Sequence, residues 1–130
     1  MAEKFVGTWK LVKSENFEDY LKELGVGFAK RQIACKVKPS MTISVDADGT
    51  INVQTERKDM KFKLNEEFEV TTGDDRKTKN VVKLDNGVLV QRQTWEGKEM
   101  TIERELVSDK LVTKLKIGEV VAVRTFEKEA

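Results

Sequence analysis

Several side chains on which protein chemistry often depends are absent or nearly absent from this 130-residue chain. It contains no histidine, a single cysteine, Cys35, and a single proline, Pro39. Without histidine there is no imidazole for acid–base catalysis, for Ser/His or Cys/His nucleophile pairs, or for metal binding. One cysteine cannot form an internal disulfide or a thiolate metal site. Most hydrolytic chemistry and metal sites built from histidine or thiolate ligands are therefore excluded.

The chain also lacks an excess of charge of one sign and any long apolar segment. It has 24 Lys and Arg against 23 Asp and Glu, so its net charge of +1 creates no overall field for nucleic acid or an anionic membrane. No apolar run approaches the roughly 18 residues of a membrane span, and Met1–Phe5 lacks the pattern of a signal peptide. We expect a soluble protein of the reducing cytoplasm, without a nucleic-acid partner.

The length and composition predict one domain, residues 1–130, with a thin or partly polar core. Hydrophobic residues make up 38% of the chain and charged residues 36%, a low and a high share for a globular protein. Pro39 divides a helical opening from a long β region, because proline breaks helices and suits a strand start. The predicted opening is a strand at Phe5–Val12 and a helix capped by Ser14 and stopped at Gly25. A second short helix is marked by Phe28, Ile33 and Val37.

Turn-forming residues recur every 8–12 residues or so after Pro39, the spacing of a β meander. These turns are Asp48-Gly49, Lys58-Asp59, Asn65-Glu66, Asp74-Asp75, Asn86-Gly87, Gly97, Asp109 and Gly118. Eight turns separate nine strands, and the opening strand makes ten. A short-linked antiparallel run of this length can remove its exposed edges by closing on itself. The pattern therefore predicts a mainly β fold, an up-and-down antiparallel barrel of ten strands.

Apolar and polar residues alternate in the last three strands, so the inward faces can be identified. These faces are predicted to contain Met100, Ile102, Arg104 and Leu106, then Leu111, Thr113 and Leu115, then Val120, Ala122, Arg124 and Phe126. Two arginines, Arg104 and Arg124, therefore point inward, and none of the three faces carries a carboxylate. In the preceding strand, Gln91 and Gln93 are predicted to line the interior.

The predicted hairpins bring the two inward arginines together. A turn near Ser108-Asp109 places Arg104 opposite Thr113, and a turn at Gly118 places Thr113 beside Arg124. Adjacent strands lie about 4.8 Å apart, so the arginines lie about 10 Å apart and can converge on one anion. The alternative is an acid from another strand, which would neutralise them in a ligand-free interaction module.

Several other residues are candidates for structural or functional roles. Phe17, Tyr20, Leu21, Val26 and Phe28 are either helix faces that cover a core or the lining of a portal. Cys35 is expected to be an inert core or interface thiol. The acidic pairs Glu66-Glu67 and Asp74-Asp75 lie in turns, without the spacing of catalytic or calcium-binding carboxylates.

Sequence motifs along nearly the whole chain resemble the cytosolic fatty acid-binding proteins, of the intracellular lipid-binding family. The motifs are Gly7-Thr8-Trp9-Lys10-Leu11-Val12, Ser14-Glu15-Asn16-Phe17-Glu18-x-Tyr20, Leu24-Gly25-Val26-Gly27-Phe28-Ala29, Lys38-Pro39, Phe62-Lys63-Leu64, Glu67-Phe68-Glu69, Asp75-Arg76-Lys77, Trp95-x-Gly97-Lys98 and Thr101-Ile102-x-Arg104. The resemblance implies a ten-stranded β-clam with a helix-turn-helix lid over a cavity. It also implies a non-enzymatic carrier without a cofactor.

The resemblance further implies that the ligand carboxylate is bound by Arg104 and Arg124, which match family arginines. The family's final strand has an Arg-x-Tyr pair, whereas this chain has Phe126 in place of the tyrosine. Arg104 is therefore expected to be the principal anchor. The segment Arg57–Lys61 is shorter than in the family and lacks its portal aromatic. Cavity or portal roles are expected for Phe17, Tyr20, Leu21, Val26, Met60, Asp74, Arg76, Gln93, Ile102, Thr113, Leu115 and Phe126.

The expected function is an intracellular carrier that binds one long-chain fatty acid for solubilisation and transport. The alternatives are a carrier of retinoic acid or another hydrophobic carboxylate and, less favoured, a barrel isomerase with Arg104 and an acid or base from Tyr20 or Asp74, or the ligand-free module. A monomer is expected, with transient membrane contact through the lid. The basic lid residues Lys22, Lys30 and Arg31 partly match a family patch linked to membrane transfer and nuclear entry.

Overall fold

Within residues 2–55, 59–71 and 76–129, which the computed structural model describes, ten strands form one antiparallel sheet. The strands are β1 (Gly7–Glu15), β2 (Ser40–Val45), β3 (Ile51–Thr55), β4 (Asp59–Phe62), β5 (Phe68–Thr71), β6 (Lys77–Asp85), β7 (Val88–Trp95), β8 (Lys98–Val107), β9 (Lys110–Ile117) and β10 (Val120–Lys128). Their order is β4-β3-β2-β1-β10-β9-β8-β7-β6-β5. The sheet is a nearly closed up-and-down barrel, which confirms the predicted fold class.

The barrel is interrupted between β4 and β5, which end the hydrogen-bonded order on its two sides. Across this gap the rings of Phe62 and Phe68 stack with their centroids 5.0 Å apart. A concavity of about 200 Å³ lies beside them and includes Met60 in its lining. Aromatic packing therefore joins the two edge strands where the backbone ladder does not.

Two helices, α1 (Phe17–Leu24) and α2 (Phe28–Lys36), form the predicted lid between β1 and β2. Gly25 ends α1 in the left-handed conformation, and its N–H donates to the carbonyls of Leu21 and Lys22. The predicted N-cap at Ser14 was wrong: Asn16 is the N-cap, and Ser14 lies in β1 opposite Arg124. No helix within the described ranges is long and apolar enough to cross a membrane.

The opening strand also differs from its predicted bounds, because β1 begins at Gly7 instead of Phe5. Phe5 belongs to a 3-10 turn, Ala2–Phe5, and its carbonyl accepts a hydrogen bond of 2.9 Å from the indole of Trp9. At the other end β1 continues past Val12 to Glu15, because those residues pair with β10. The observed strand β1 therefore differs from the predicted one at both ends.

The β–β turns follow the predicted turn chemistry where they are described. Asn86 and Gly87 both have positive φ between β6 and β7, the conformation that two-residue hairpins require. Ser108 and Asp109 do the same between β8 and β9. Lys58 of the predicted Lys58-Asp59 turn and both residues of the Asp74-Asp75 turn lie outside the described residues, and Asp59 opens β4.

The barrel interior contains two apolar clusters. The base cluster contains Phe5, Trp9, Leu11, Met41, Ile43, Ile51, Val53, Phe62, Val82, Leu89, Leu111 and Phe126. The lid cluster contains Tyr20, Leu21, Leu24, Trp95, Met100, Leu115, Ile117 and Ala122. On β9, Leu111 belongs to the first and Leu115 to the second, and Thr113 lies between them. A polar layer therefore separates two apolar ones.

Candidate functional site

Three neighbouring strands bring Arg104, Thr113 and Arg124 into one row inside the barrel. Arg104 on β8 is the register partner of Thr113 on β9, and Thr113 is the register partner of Arg124 on β10. This register confirms the one predicted from the hairpin turns. Because alternate residues of a strand share a face, all three side chains enter the interior with the apolar residues beside them.

The row contains buried polar atoms without a protein partner. Three atoms of the row are buried and form no hydrogen bond with any described residue: Nε of Arg104, Oγ1 of Thr113 and Nε of Arg124. Buried polar groups are normally paired, because leaving one unpaired costs about 1–3 kcal/mol. Two donors and a hydroxyl on residues that lie side by side in one row suit a group with acceptor oxygens.

The row is cationic, and no described carboxylate forms an ion pair with either arginine. Removal from water lowers the pKa of Arg104 to about 10. The same effect lowers the pKa of Arg124, and the negative charge of Cys35 in its thiolate form partly opposes it. Both guanidiniums therefore keep their charge at neutral pH, although partial burial removes some of the hydration that stabilises it. An anion bound between them would replace that lost stabilisation.

A chain of hydrogen-bonded side chains extends the polar layer from Arg104 on β8 across β7 to β6. One terminal N–H of Arg104 donates to Oε1 of Gln91 over 3.0 Å, and Nε2 of Gln91 donates to Oδ1 of Asn80 over 2.9 Å. Nε2 of Gln93 donates to the same oxygen of Asn80 over 3.0 Å. Asn80 then donates to Thr78 over 3.0 Å. Gln91 and Gln93 therefore line the interior, as predicted.

Asn80 and Thr78 are two residues of this polar layer that the sequence analysis missed. Both are almost completely buried on β6. The signal was available, because Lys77, Lys79 and Lys83 alternate with Thr78, Asn80 and Val82 along that strand. Lysines on one face indicate solvent, so the polar residues between them belong to the interior.

The lid contacts the row directly through Phe17 of α1. The ring of Phe17 lies over the guanidinium of Arg124, 3.8 Å from its central carbon, and stacks on Tyr20 at 5.8 Å. The hydroxyl of Tyr20 in turn donates to the sulfur of Met100 over 3.0 Å. The lid therefore covers the Arg124 end of the row, whereas Arg104 is held from the opposite side by Gln91.

The remaining predicted cavity residues occupy three separate places. Leu21 and Leu115 belong to the lid cluster, and Val26 and Ile102 pack against it. Phe126 and Met60 lie with the base cluster instead, so they are not beside the lid residues. The guanidinium of Arg76 lies 4.3 Å from the ring centre of Trp95 and donates to Gln93 over 3.4 Å. Asp74 lies outside the described residues.

Helix α2 does not have the packed face that one interpretation of its apolar residues predicted. No residue of α2 is buried, and Phe28 and Ile33 are 66% and 55% exposed. Cys35 is exposed as well, so its expected place in a core was wrong. The reason is geometric: α1 lies against β9 and β10, whereas α2 contributes only Ala34 to the packing against the lid cluster.

The geometry provides binding without an evident reaction centre. In the described ranges no group of three or more His, Cys, Asp or Glu side chains forms a metal site. The hydroxyl of Tyr20, the one described acid or base of the isomerase alternative, is bonded to Met100. A larger concavity of about 620 Å³ lies on the outer side of β6 and β7, where Lys79, Lys83 and Arg92 line it. It is separate from the inward arginines.

Comparison with known proteins agrees with this arrangement of barrel and lid. Residues 6–129 match the model of the lipocalin / cytosolic fatty-acid binding protein family. The chain is 50% identical over 132 residues to the adipocyte fatty acid-binding protein of Pygoscelis papua, and 52% identical over 131 residues to fatty acid-binding protein 9 of Homo sapiens. Each alignment covers 98% of this chain and 99% of the relative.

A solved structure supports the same assignment at the level of the backbone. The wild-type fluorescent protein UnaG superposes with a TM-score of 0.95 at 40% identity, over 99% of this chain and all of that one. Fatty acid-binding proteins are non-enzymatic carriers, in agreement with the predicted lack of catalysis. With its ten-stranded barrel, its two-helix lid and a family match along nearly its entire length, this chain belongs to the lipocalin / cytosolic fatty-acid binding protein family.

Proposed function

We propose that the protein is an intracellular carrier that binds one long-chain fatty acid inside the barrel. The observation that carries the proposal is the row of Arg104, Thr113 and Arg124. Among the described residues, its buried polar atoms have no hydrogen-bond partner and its two charges have no counterion. A carboxylate offers acceptor oxygens and a negative charge together. Relatives that are half identical in sequence and are named fatty acid-binding proteins support the same ligand class.

The apolar clusters support the placement of the acyl chain. With the carboxylate at Arg104 and Arg124, the acyl chain extends among Phe17 and Leu21 of the lid and Ile102 of β8. Val26 lies with these residues, whereas Met60, also expected in the lining, lies with the base cluster. Burial of a hydrocarbon chain contributes about 0.8 kcal/mol per CH₂ group, so the tail provides most of the affinity. The arginines then determine which head group is accepted.

Arg104 is the principal anchor in this proposal. Phe126 has no hydroxyl, so a bond to the carboxylate that the resemblance assigns to a tyrosine cannot form in this chain. Arg104 is oriented by Gln91, whereas Arg124 has the ring of Phe17 as its contact. A guanidinium that is already oriented loses less conformational freedom on binding.

The entire chain, residues 1–130, acts as one monomeric binding domain in the cytoplasm and also enters the nucleus. To test the ligand class, lipids are extracted from the purified protein and identified by mass spectrometry, and the delipidated protein is then titrated with oleate by calorimetry. Saturable binding of one oleate per chain is expected. Lack of oleate binding by the delipidated, folded protein would overturn the proposal.

Fatty alcohols and retinol are expected to compete poorly with oleate, because an alcohol leaves the two buried cations uncompensated. In displacement of a fluorescent fatty acid, oleyl alcohol should bind at least tenfold more weakly than oleate, which corresponds to about 1.4 kcal/mol. Retinoic acid belongs in the same assay, since a match to oleate would broaden the ligand class to hydrophobic carboxylates. Equal competition by oleate and oleyl alcohol would show that the head group contributes nothing.

The lid is proposed to contact membranes transiently when ligand is transferred. Phe28 and Ile33 are exposed on α2 beside the cations Lys30 and Lys36, a combination that suits an anionic lipid surface. Phe28→Ser should therefore reduce co-sedimentation with anionic vesicles. Val107→Ser, at an exposed apolar position in β8, serves as the matched control and should have no effect. Equal losses in both variants would exclude the lid as the contact surface.

A further inference from the structure

The hydrogen bonds between Val70 and Arg104 have only one consistent direction. The carbonyl of Val70 can only accept, so the hydroxyl of Thr78 donates to it over 2.8 Å. The oxygen of Thr78 then accepts from Nδ2 of Asn80, which turns Oδ1 of Asn80 toward Nε2 of Gln91. This orientation leaves Oε1 of Gln91 facing Arg104.

The same direction follows from the opposite end, because a guanidinium can only donate. Arg104 therefore requires an acceptor, and Gln91 provides one. Gln93 strengthens the arrangement, since its Nε2 also donates to Oδ1 of Asn80 and occupies the second acceptor position of that oxygen. Gln91 is 1% exposed and Asn80 is 1% exposed, so water does not compete with these bonds. These hydrogen bonds fix the orientation of the Gln91 amide, with its oxygen toward Arg104.

The partner of Arg104 is therefore an acceptor without charge. A carboxylate at that point would accept the same hydrogen bond and would also neutralise the guanidinium. The charge of Arg104 is instead left for another group, and the second inward cation, Arg124, has no described acidic partner either. Gln91 therefore orients Arg104 without supplying a negative charge. This suits a site in which the anionic ligand itself is the counterion of Arg104.

We propose that Gln91 is a positioning residue whose lack of charge preserves head-group selectivity: it orients Arg104 through a neutral oxygen and so leaves the charge of Arg104 available to an anionic ligand. Asn80 and Thr78 act through it by fixing which end of the amide faces Arg104. This inference rests on the proposed function, because it requires that Arg104 binds the ligand carboxylate. Gln91 itself is not required to touch the ligand.

Two substitutions at Gln91 separate charge from hydrogen bonding. Gln91→Glu keeps the acceptor and nearly the same shape but adds a countercharge, whereas Gln91→Leu removes the acceptor and adds no charge. If the role of Gln91 were only to hold Arg104 in place, Gln91→Glu would bind oleate better than Gln91→Leu. The proposal expects the opposite order.

The experiment titrates delipidated protein with oleate and with oleyl alcohol by calorimetry, and circular dichroism checks folding. Gln91→Glu should lose at least tenfold in oleate affinity and keep its alcohol affinity within about threefold. Gln91→Leu should lose less oleate affinity and keep the preference for acid. Gln54→Glu makes the same chemical change at an exposed position of β3 and should leave both affinities unchanged.

The outcomes distinguish this inference from the proposed function. If the unmodified chain does not bind oleate, the proposed function fails at that step. If it binds oleate but Gln91→Glu binds oleate as well as Gln91→Leu does, or loses acid and alcohol equally, the role of Gln91 is wrong and the proposed function stands. If Gln91→Glu does not fold, Gln91→Leu decides alone: loss of its preference for acid over alcohol would overturn the inference.

Discussion

Arg104→Gln is expected to reduce oleate affinity about 10- to 150-fold, and to do so more strongly than Arg124→Gln. The range corresponds to the roughly 1.5–3 kcal/mol that a hydrogen bond to a charged group contributes. Arg104 is oriented by Gln91, whereas Arg124 is covered by the ring of Phe17 and lacks the tyrosine that Phe126 replaces. Titration calorimetry of the delipidated variants with oleate measures the difference.

The matched control for both variants is Arg92→Gln. Arg92 is an exposed arginine on the outer side of β7, paired with Glu99. Its substitution removes the same charge from the protein without altering the interior, so oleate affinity should not change. Equal affinities for all three variants and the unmodified chain would remove the inward arginines as the anchor. A larger loss in Arg124→Gln would assign the principal role to the arginine beneath the lid.

Leu111→Ala is expected to lower the free energy of unfolding by about 2–5 kcal/mol, because the site cannot close around the lost methyl groups. Leu111 is 0% exposed in the base cluster. It lies opposite Leu106 of β8 on one side and Phe126 of β10 on the other. A cavity there removes contacts to two strands at once. Equilibrium unfolding in urea, monitored by tryptophan fluorescence, measures the loss.

The comparison variant for this prediction is Val121→Ala on β10. Val121 is 39% exposed on the outer side of the barrel, so its truncation should change stability by less than about 1 kcal/mol. A similar small loss in Leu111→Ala would mean that the base cluster is not the rigid part of the barrel. Both variants keep all the polar residues of the interior, so the comparison isolates apolar packing.

The sheet and its arginine row could be predicted from sequence because strands have a simple periodicity. Side chains alternate between faces, and short turns fix which residues lie opposite one another. Ser108, Asp109 and Gly118 therefore placed Arg104, Thr113 and Arg124 in one row, and the register of β8, β9 and β10 confirmed it. The interior position of Gln91 and Gln93 followed from the same alternation.

The helical segment was less predictable because its local signals compete. Ser14 has a favourable N-cap side chain, yet pairing with β10 keeps it in β1, and Asn16 begins the helix in a left-handed conformation. Phe28 and Ile33 were expected on a packed helix face, yet both are exposed, and Ala34 is the residue of α2 that packs against the lid cluster. Helix patterns show that a face is apolar without showing what covers it.

The sequence by itself determined the strand number, the inward faces and the shared row of two arginines, since each depends on spacing along the chain. Only the tertiary structure decided what those arginines contact. Phe17 contacts Arg124 although the two residues are more than one hundred positions apart in the sequence. Gln91 and Asn80 form a hydrogen bond between neighbouring strands, and the carbonyl of Val70 fixes its direction through Thr78. The direction of a hydrogen bond depends on which donor and acceptor atoms are close together in the folded protein, and the spacing of residues along a strand does not predict that pairing.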